Sequence, residues 1–247
     1  MIKIDKGDSP PRLFKQKKIL NESLIKKYLQ GDRQFKFKDA YCTDEVKNAL
    51  KACQYNKCCF SEAKFVGDDS HVEHFRPKGR VDDYPNGKSY YPGYYWIAYE
   101  WSNLFLCKSR INSSCKRNFF PLFDNNQRNR SHLDTNIEEP MLVDPSFDNP
   151  RDHIEFIGDE PVGKSEKGHF TITLLRLRTS EFEEARRTRL RLIKLLRISI
   201  DNALNEGIDK NHPDVADIIN ELKQAVLSHS EFSSMVKDFL KDWPHLE

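Results

Sequence analysis

The chain has 247 residues, a formal net charge of +2, 38% hydrophobic residues and 32% charged ones. This is enough for one large domain or two small ones with a polar but foldable composition, and no apolar run approaches the roughly 20 residues of a membrane span. The opening MIKIDKGDSPPRLF lacks an apolar signal core, so a cytoplasmic protein with no membrane partner is expected.

In chain order, DSPPR (8–12) reads as a proline-rich lead-in. Leu20 to Leu29 reads as a short amphipathic helix capped by Asn21 or Ser23, with Gly31 past its end. Thr43 opens a second helix, with Asp44 and Glu45 in its first turn and Val46, Ala49, Leu50 and Cys53 at helical spacing. The cysteine-bearing turn NKCCFSEAKF leads into a strand over His71–Phe75. From Pro77 to Gly93 the turn-formers Gly79, Pro85, Asn86, Gly87 and Pro92 predict loop. YYWIAYEW suits strand or buried helix equally, with Trp96 and Trp101 in the core. Ile111 to Asn118 suits a short helix that Pro121 stops.

Residues 124–140 are polar and irregular. MLVDP, HIEFIG and HFTITLLRL then read as short strands. From Ser180 the pattern turns helical. Ser180 and Glu183 form an S-x-x-E capping box, and Phe182, Leu190, Ile193, Leu196 and Ile200 recur at helical spacing up to Gly207. Shorter helices follow over Asp214–Leu227 and Phe232–Leu240.

The net charge is too small to argue for a nucleic-acid partner, but its distribution is clustered. Nine lysines and arginines lie between Arg12 and Lys38. Lys108, Arg110, Lys116, Arg117, Arg128 and Arg130 form a second group. Such clusters can neutralise phosphates, although solvated helix faces are the better account of each cluster taken alone. The six cysteines (42, 53, 58, 59, 107, 115) are irregularly spaced and read as thiols or metal ligands, not as a disulfide framework.

The most specific chemistry lies in HVEHFRPKGR (71–80), read with WSNLFL and INSSCKRNFFPL. It sets Glu73 beside His74, followed by Asn103 and Asn112, with Lys116 one helical turn beyond. A carboxylate and an amide can hold a hard divalent cation against a phosphodiester while an imidazole takes the proton of the attacking water. In a regular strand Glu73 and His74 face opposite sides, so they converge only where the strand ends, and Arg76–Pro77 supplies that end. His71 shares the Glu73 face and reads as a structural neighbour.

Glu73-His74, Asn103 and Asn112 resemble the ββα-metal fold of HNH endonucleases. The wider string KCCFSEAKF, VEHFRPKGR, YYWIAYEWSNLFL, INSSCKRNFFPL, VDPSFDNPRDHIEF and TITLLRLR resembles the HNH nuclease subunit of Septu antiphage systems, which also occurs in some retron systems. The resemblance implies an α+β chain: a ββα-metal HNH core embedded among helices, with a short β-hairpin region and C-terminal helices. The divisions would be an N-terminal helical segment (1–50), the nuclease core (51–125), loop and short strands (126–180) and a helical region (181–247) that docks a partner. It further implies His74 as general base, Glu73 and Asn112 as ligands of Mg2+ or Mn2+, and Asn103 as a brace that orients the base. Lys116, Asn118, Lys78 and Arg76 would lie against the substrate. An ABC/SMC-like ATPase subunit would be the partner and nucleic acid the substrate, with DNA favoured and tRNA the alternative.

The chain departs from the HNH pattern where zinc would sit. Ser61 stands where the second cysteine of a C-x-x-C pair is expected, and Ser109 and Ile111 replace the other pair. Structural zinc needs four N or S ligands, so Cys58 and Cys107 could take part only by rearrangement, and no structural zinc is expected. A rival reading keeps the chain as an inactive binding or regulatory subunit. A second rival rests on Gly158–Ser165, which matches the phosphate-loop pattern G-x-x-x-x-G-K-[ST]. Because the following residues read as a strand interrupted by Gly168, a hairpin turn is the better account.

Overall fold

The computed structural model describes residues 1–67, 69–85 and 87–246; Asn86, one of the expected turn-formers, lies outside the described residues. The fold is mixed α+β, with several helices and small antiparallel sheets. No helix is long and apolar enough to cross a membrane among the described residues.

Helix α1 (Pro11–Leu29) starts nine residues earlier than its apolar pattern suggested. Pro10 is the cap and Pro11 the first helical residue, where a missing N–H costs nothing and the fixed φ favours entry. Asn21 is therefore no cap. It is buried mid-helix, and its amide donates to Glu100 Oε1 at 3.0 Å. Helix α2 (Asp44–Cys53) begins as read, with the Thr43 hydroxyl accepting from Val46 N–H.

Strand β1 (Ser70–His74) pairs antiparallel with β4 (Leu104–Lys108), setting Glu73 opposite Phe105 and His74 opposite Leu104. The long connection holds the hairpin β2 (Val81–Asp82) and β3 (Ser89–Tyr90). YYWIAYEW forms neither strand nor α-helix. It folds into two short 3-10 turns, Tyr95–Ile97 and Trp101–Asn103, that bury Tyr94, Tyr95, Tyr99 and Trp101. Gly93 is obligatory here, because a Cβ at this position would lie 2.3 Å from the Pro77 carbonyl oxygen and 2.8 Å from Arg80 N. The free edge of β4 is closed by Gln54, just past the end of α2, whose amide donates to Leu106 O at 2.7 Å and accepts from Leu106 N at 2.8 Å. Beyond β4 the helical segment Ile111–Lys116 is a single π-type turn, shorter and wider than the α-helix expected through Asn118. Arg117 N donates to Asn112 O five residues back at 2.8 Å.

A short helix α3 (Pro150–His153) precedes the hairpin β5 (Ile154–Ile157) and β6 (Glu160–Gly163). MLVDP is not a strand but a buried turn, with Val143 N–H donating to Thr171 Oγ1 at 2.9 Å. HFTITLLRL is not a strand either: its first six residues lie in helix α4 (Glu166–Leu174), capped by the Ser165 hydroxyl. Gly168 does not interrupt α4 because its bare Cα lets the helix approach the end of α3; a Cβ there would lie 1.8 Å from His153 O. The hairpin between Gly158 and Gly163 stands, so the four central residues of the phosphate-loop pattern belong to an antiparallel pair and form no cradle.

Helix α5 (Ser180–Asn205) is capped by Thr179 without a side-chain bond, so the Ser180–Glu183 capping box does not form. Its inner residues Leu190, Ile193 and Ile200 pack with α6 (Pro213–Ala225) and α7 (Ser233–Leu240) in a core separate from the one around β1 and β4. The two cores meet at a buried ionic knot. Glu62 takes the Met1 amine at 2.6 Å and Lys57 at 3.4 Å, and accepts from the Ser233 hydroxyl at 3.0 Å.

Candidate active site

Residues Glu73, His74, Pro77, Lys78, Asn112 and Arg117 line a cleft of about 300 Å3 at the end of β1. The strand places Glu73 and His74 on opposite faces, and the turn at Arg76–Pro77 folds the following residues back so that both side chains border one cleft.

His74 is buried, and its Nε2 lies 2.9 Å from the Ala98 carbonyl oxygen. A carbonyl only accepts, so Nε2 carries the proton and Nδ1 holds the lone pair. Nδ1 lies 3.4 Å from Lys78 Nζ, and the Tyr41 ring stands edge-on to the imidazole with centroids 4.7 Å apart. Burial, reinforced by the Lys78 ammonium, holds the imidazole pKa well below its usual 6.5, so the ring is neutral at pH 7.

Glu73 is 4% exposed, and its Oε1 lies 2.5 Å from the ammonium of fully buried Lys116. Lys116 also donates to His74 O at 3.0 Å. Burial raises the Glu73 carboxyl pKa, with Lys116 pulling the other way. The second carboxylate oxygen makes no hydrogen bond with the described residues. The Asn112 side chain, on the π-turn across the cleft, makes none either. The structure thus brings Glu73, His74, Lys78, Asn112 and Asn118 to one cleft.

Asn103 stands behind this cleft. Its Oδ1 accepts from Arg76 N at 2.7 Å, and its amide donates to Arg76 O at 3.0 Å and Ile97 O at 3.3 Å. These bonds tie the end of β1 to the turn that carries Ala98, so Asn103 touches the base only through the backbone.

Two expected substrate contacts are placed elsewhere. Lys116 is sealed inside as the partner of Glu73 and presents nothing to a phosphate. Arg76 turns to the far side, with its Nε 3.1 Å from Glu138 Oε2 in a separate acidic pocket. Beside Lys78, a second cation faces the cleft: Arg117, whose guanidinium makes no ion pair with the described residues. Its backbone has φ +49°, a left-handed conformation that a non-glycine residue adopts only under local constraint. The sequence showed Arg117 only as a member of a basic cluster. Its selection over Lys116 follows from the π-turn, which sequence spacing does not reveal.

All six cysteines are free thiols. Cys58, Cys59 and Cys107 lie buried together beside β4. Burial pushes Cys58 up, but hydrogen bonds from Cys59, Ser61 and Lys108 N–H outweigh it and bring the thiol to about 6. Burial holds Cys59 and Cys107 far above the ordinary thiol range. Among the described residues no group of three or more His, Cys, Asp or Glu side chains is placed to hold a metal. Any ion here would rest on a carboxylate and an amide, with water and substrate completing its shell.

No family model matches the chain. It is 33% identical over 188 residues to Septu protein PtuB of Bacillus mycoides (strain KBAB4), covering 74% of this chain and 63% of that protein. It is 27% identical over 179 residues to Septu protein PtuB of Bacillus thuringiensis, covering 72% of this chain and 54% of that protein. The chain therefore spans less than two thirds of either relative, and the similarity to Septu protein PtuB supports a family-level relationship.

Proposed function

We propose that this relative of Septu protein PtuB is a divalent-metal-dependent endonuclease that hydrolyses phosphodiester bonds, with DNA the favoured substrate, in an antiphage defence system. The observation that carries this reading is the tautomer of His74. With Nε2–H committed to Ala98 O, Nδ1 carries the lone pair in the cleft that Glu73 and Asn112 share, where an attacking water can replace its long 3.4 Å contact from Lys78 Nζ and give up a proton. The imidazole removes the proton of the attacking water, and Asn103 keeps the ring's carbonyl partner in place. Arg117 meets the phosphate charge at the cleft rim. The open oxygen of Glu73 and the unengaged amide of Asn112 suit Mg2+ or Mn2+, being hard donors on facing elements. When bound there, the ion would polarise the phosphoryl group and stabilise the leaving oxygen. Structural zinc forms no part of this reading. The ATPase partner is proposed to dock on the outer face of α5, where Leu192, Leu195 and Ile198 stand exposed.

A second reading, an inactive nucleic-acid-binding subunit, is favoured by one observation: the Lys116 ammonium already neutralises the carboxylate that would hold the ion. Incubation with plasmid DNA and with total tRNA, in Mg2+ and in EDTA, separates the readings. Hydrolysis that needs Mg2+ and disappears in His74→Ala supports the nuclease. Binding without turnover on either substrate supports the inactive subunit.

A further inference from the structure

A second depression, of about 400 Å3, is lined by Gln34, Phe35, Gly79, Arg80, Tyr91 and Asn118. Gly79 and Asn118 also line the cleft of Glu73 and His74, so the two depressions abut. Phe35 in one and Phe37 in the other are in edge contact, with centroids 6.3 Å apart, and make a continuous wall.

Tyr91 is 48% exposed there, a large aromatic left open beside the candidate site. Its hydroxyl is held by Arg80 Nη1 at 3.3 Å. Arg80 is held in turn by Asp82 (Nη2–Oδ2 3.0 Å), whose other oxygen takes the Ser89 hydroxyl at 2.7 Å. The ring is thus positioned by a chain of polar contacts, with the Arg80 guanidinium 6.0 Å above one face, which leaves the other face for a base. Gln34, exposed in the same depression, offers both a donor and an acceptor.

We propose that this depression is a nucleobase subsite: an unpaired base next to the scissile phosphate stacks on Tyr91, and the Gln34 amide meets its edge. The inference rests on the nuclease reading for the position of that phosphate. Charge alone would bind backbone. An exposed aromatic with an amide in the same depression is what an unstacked base requires, because every base has a π-face. A base inside a duplex has both faces occupied, so the subsite favours single-stranded or locally opened substrate.

The test compares wild type, Tyr91→Ala and Tyr91→Phe on a fluorescein-labelled single strand and on its duplex, by anisotropy in EDTA and by strand scission in Mg2+. The wild type is expected to bind the single strand about tenfold or more tightly than the duplex, the range one stacked base supplies. Tyr91→Ala should remove that preference by weakening the single strand alone, and Tyr91→Phe should keep it. Thermal melting confirms that each variant is folded. Equal loss on both substrates, no loss on either, or a wild-type preference for duplex overturns the subsite. The EDTA arm does not depend on turnover. Absence of scission with the strand preference intact counts against the nuclease alone.

Discussion

The imidazole of His74 and the carbonyl of Ala98 lie 2.9 Å apart, and this contact decides which nitrogen can act as a base. Burial and Lys78 together depress the pKa of the ring, so its competent form is fully populated at lower pH than for a free histidine. The acidic limb of kcat/KM against pH should therefore lie below pH 6.5, and Lys78→Met should move it upward by removing a positive neighbour of Nδ1. A limb at or above pH 6.5 in the wild type would contradict the assignment. Stability carries the same signature. Below pH 6.5 the unfolded chain takes up a proton that the folded ring refuses, so stability falls as pH drops from 6.5 toward the lowered folded value. His74→Phe should flatten that slope in urea titrations.

Lys116 supports Glu73 from inside the fold. Lys116→Met strands a buried carboxylate, and the expected cost is about 3–5 kcal/mol, read by urea denaturation. Combining it with Glu73→Gln should recover most of the stability and none of the hydrolysis. If Lys116→Met instead leaves stability intact and only weakens DNA binding, the buried pair has been misjudged.

Asn103→Ala removes three hydrogen bonds to the backbone at Arg76 and Ile97. Leaving those groups unsatisfied should cost about 2–3 kcal/mol. It should also lower kcat more than it raises KM, since the Ala98 carbonyl loses its support. Steady-state kinetics at a temperature well below the melting point separates the two effects.

Glu62 should give the chain an acid-sensitive joint. Burial pushes its carboxyl up, but the Met1 amine and Lys57 outweigh that and lower it from 4.5 to about 2. The stabilisation is complete above pH 4.5 and is lost as pH falls from there toward 2. Glu62→Gln should abolish this pH dependence and destabilise the neutral protein by about 3–5 kcal/mol. The readout is melting temperature against pH.

The legible parts of the fold were those where local chemistry and tertiary packing agree. Thr43 announces α2 because its hydroxyl caps the first turn, and the Glu73–His74 strand ends where Pro77 forces a turn. The α4 segment reads as a strand because Thr171, Ile172 and Leu174 are buried on several sides, which erases the amphipathic period, and β-branched residues then mimic a strand. Gly168 looked like a breaker because its role is to approach His153, a residue known only from the tertiary structure. The early start of α1 was hidden by prolines that punctuate a loop as readily as they open a helix.

Within the site, the adjacency of Glu73 and His74 was visible in the chain, as was the order Asn103, Asn112. The exchange of Lys116 for Arg117 at the cleft was not, because it depends on a five-residue hydrogen bond that no spacing rule anticipates. Tyr41, the Ala98 carbonyl and the Tyr91 platform were equally silent. Each contributes through where the backbone carries it, not through a motif.

The tight seam between Gly93 and the Pro77 carbonyl bears on how such a chain can diversify. Because even a methyl group is barred there, the arm bearing Tyr91 and the loop bearing Lys78 must drift as a welded pair. The Tyr91 side chain itself lies outside the weld and is about half exposed. Substrate choice can then be rewritten at one outward side chain while the hydrolytic machinery keeps its alignment.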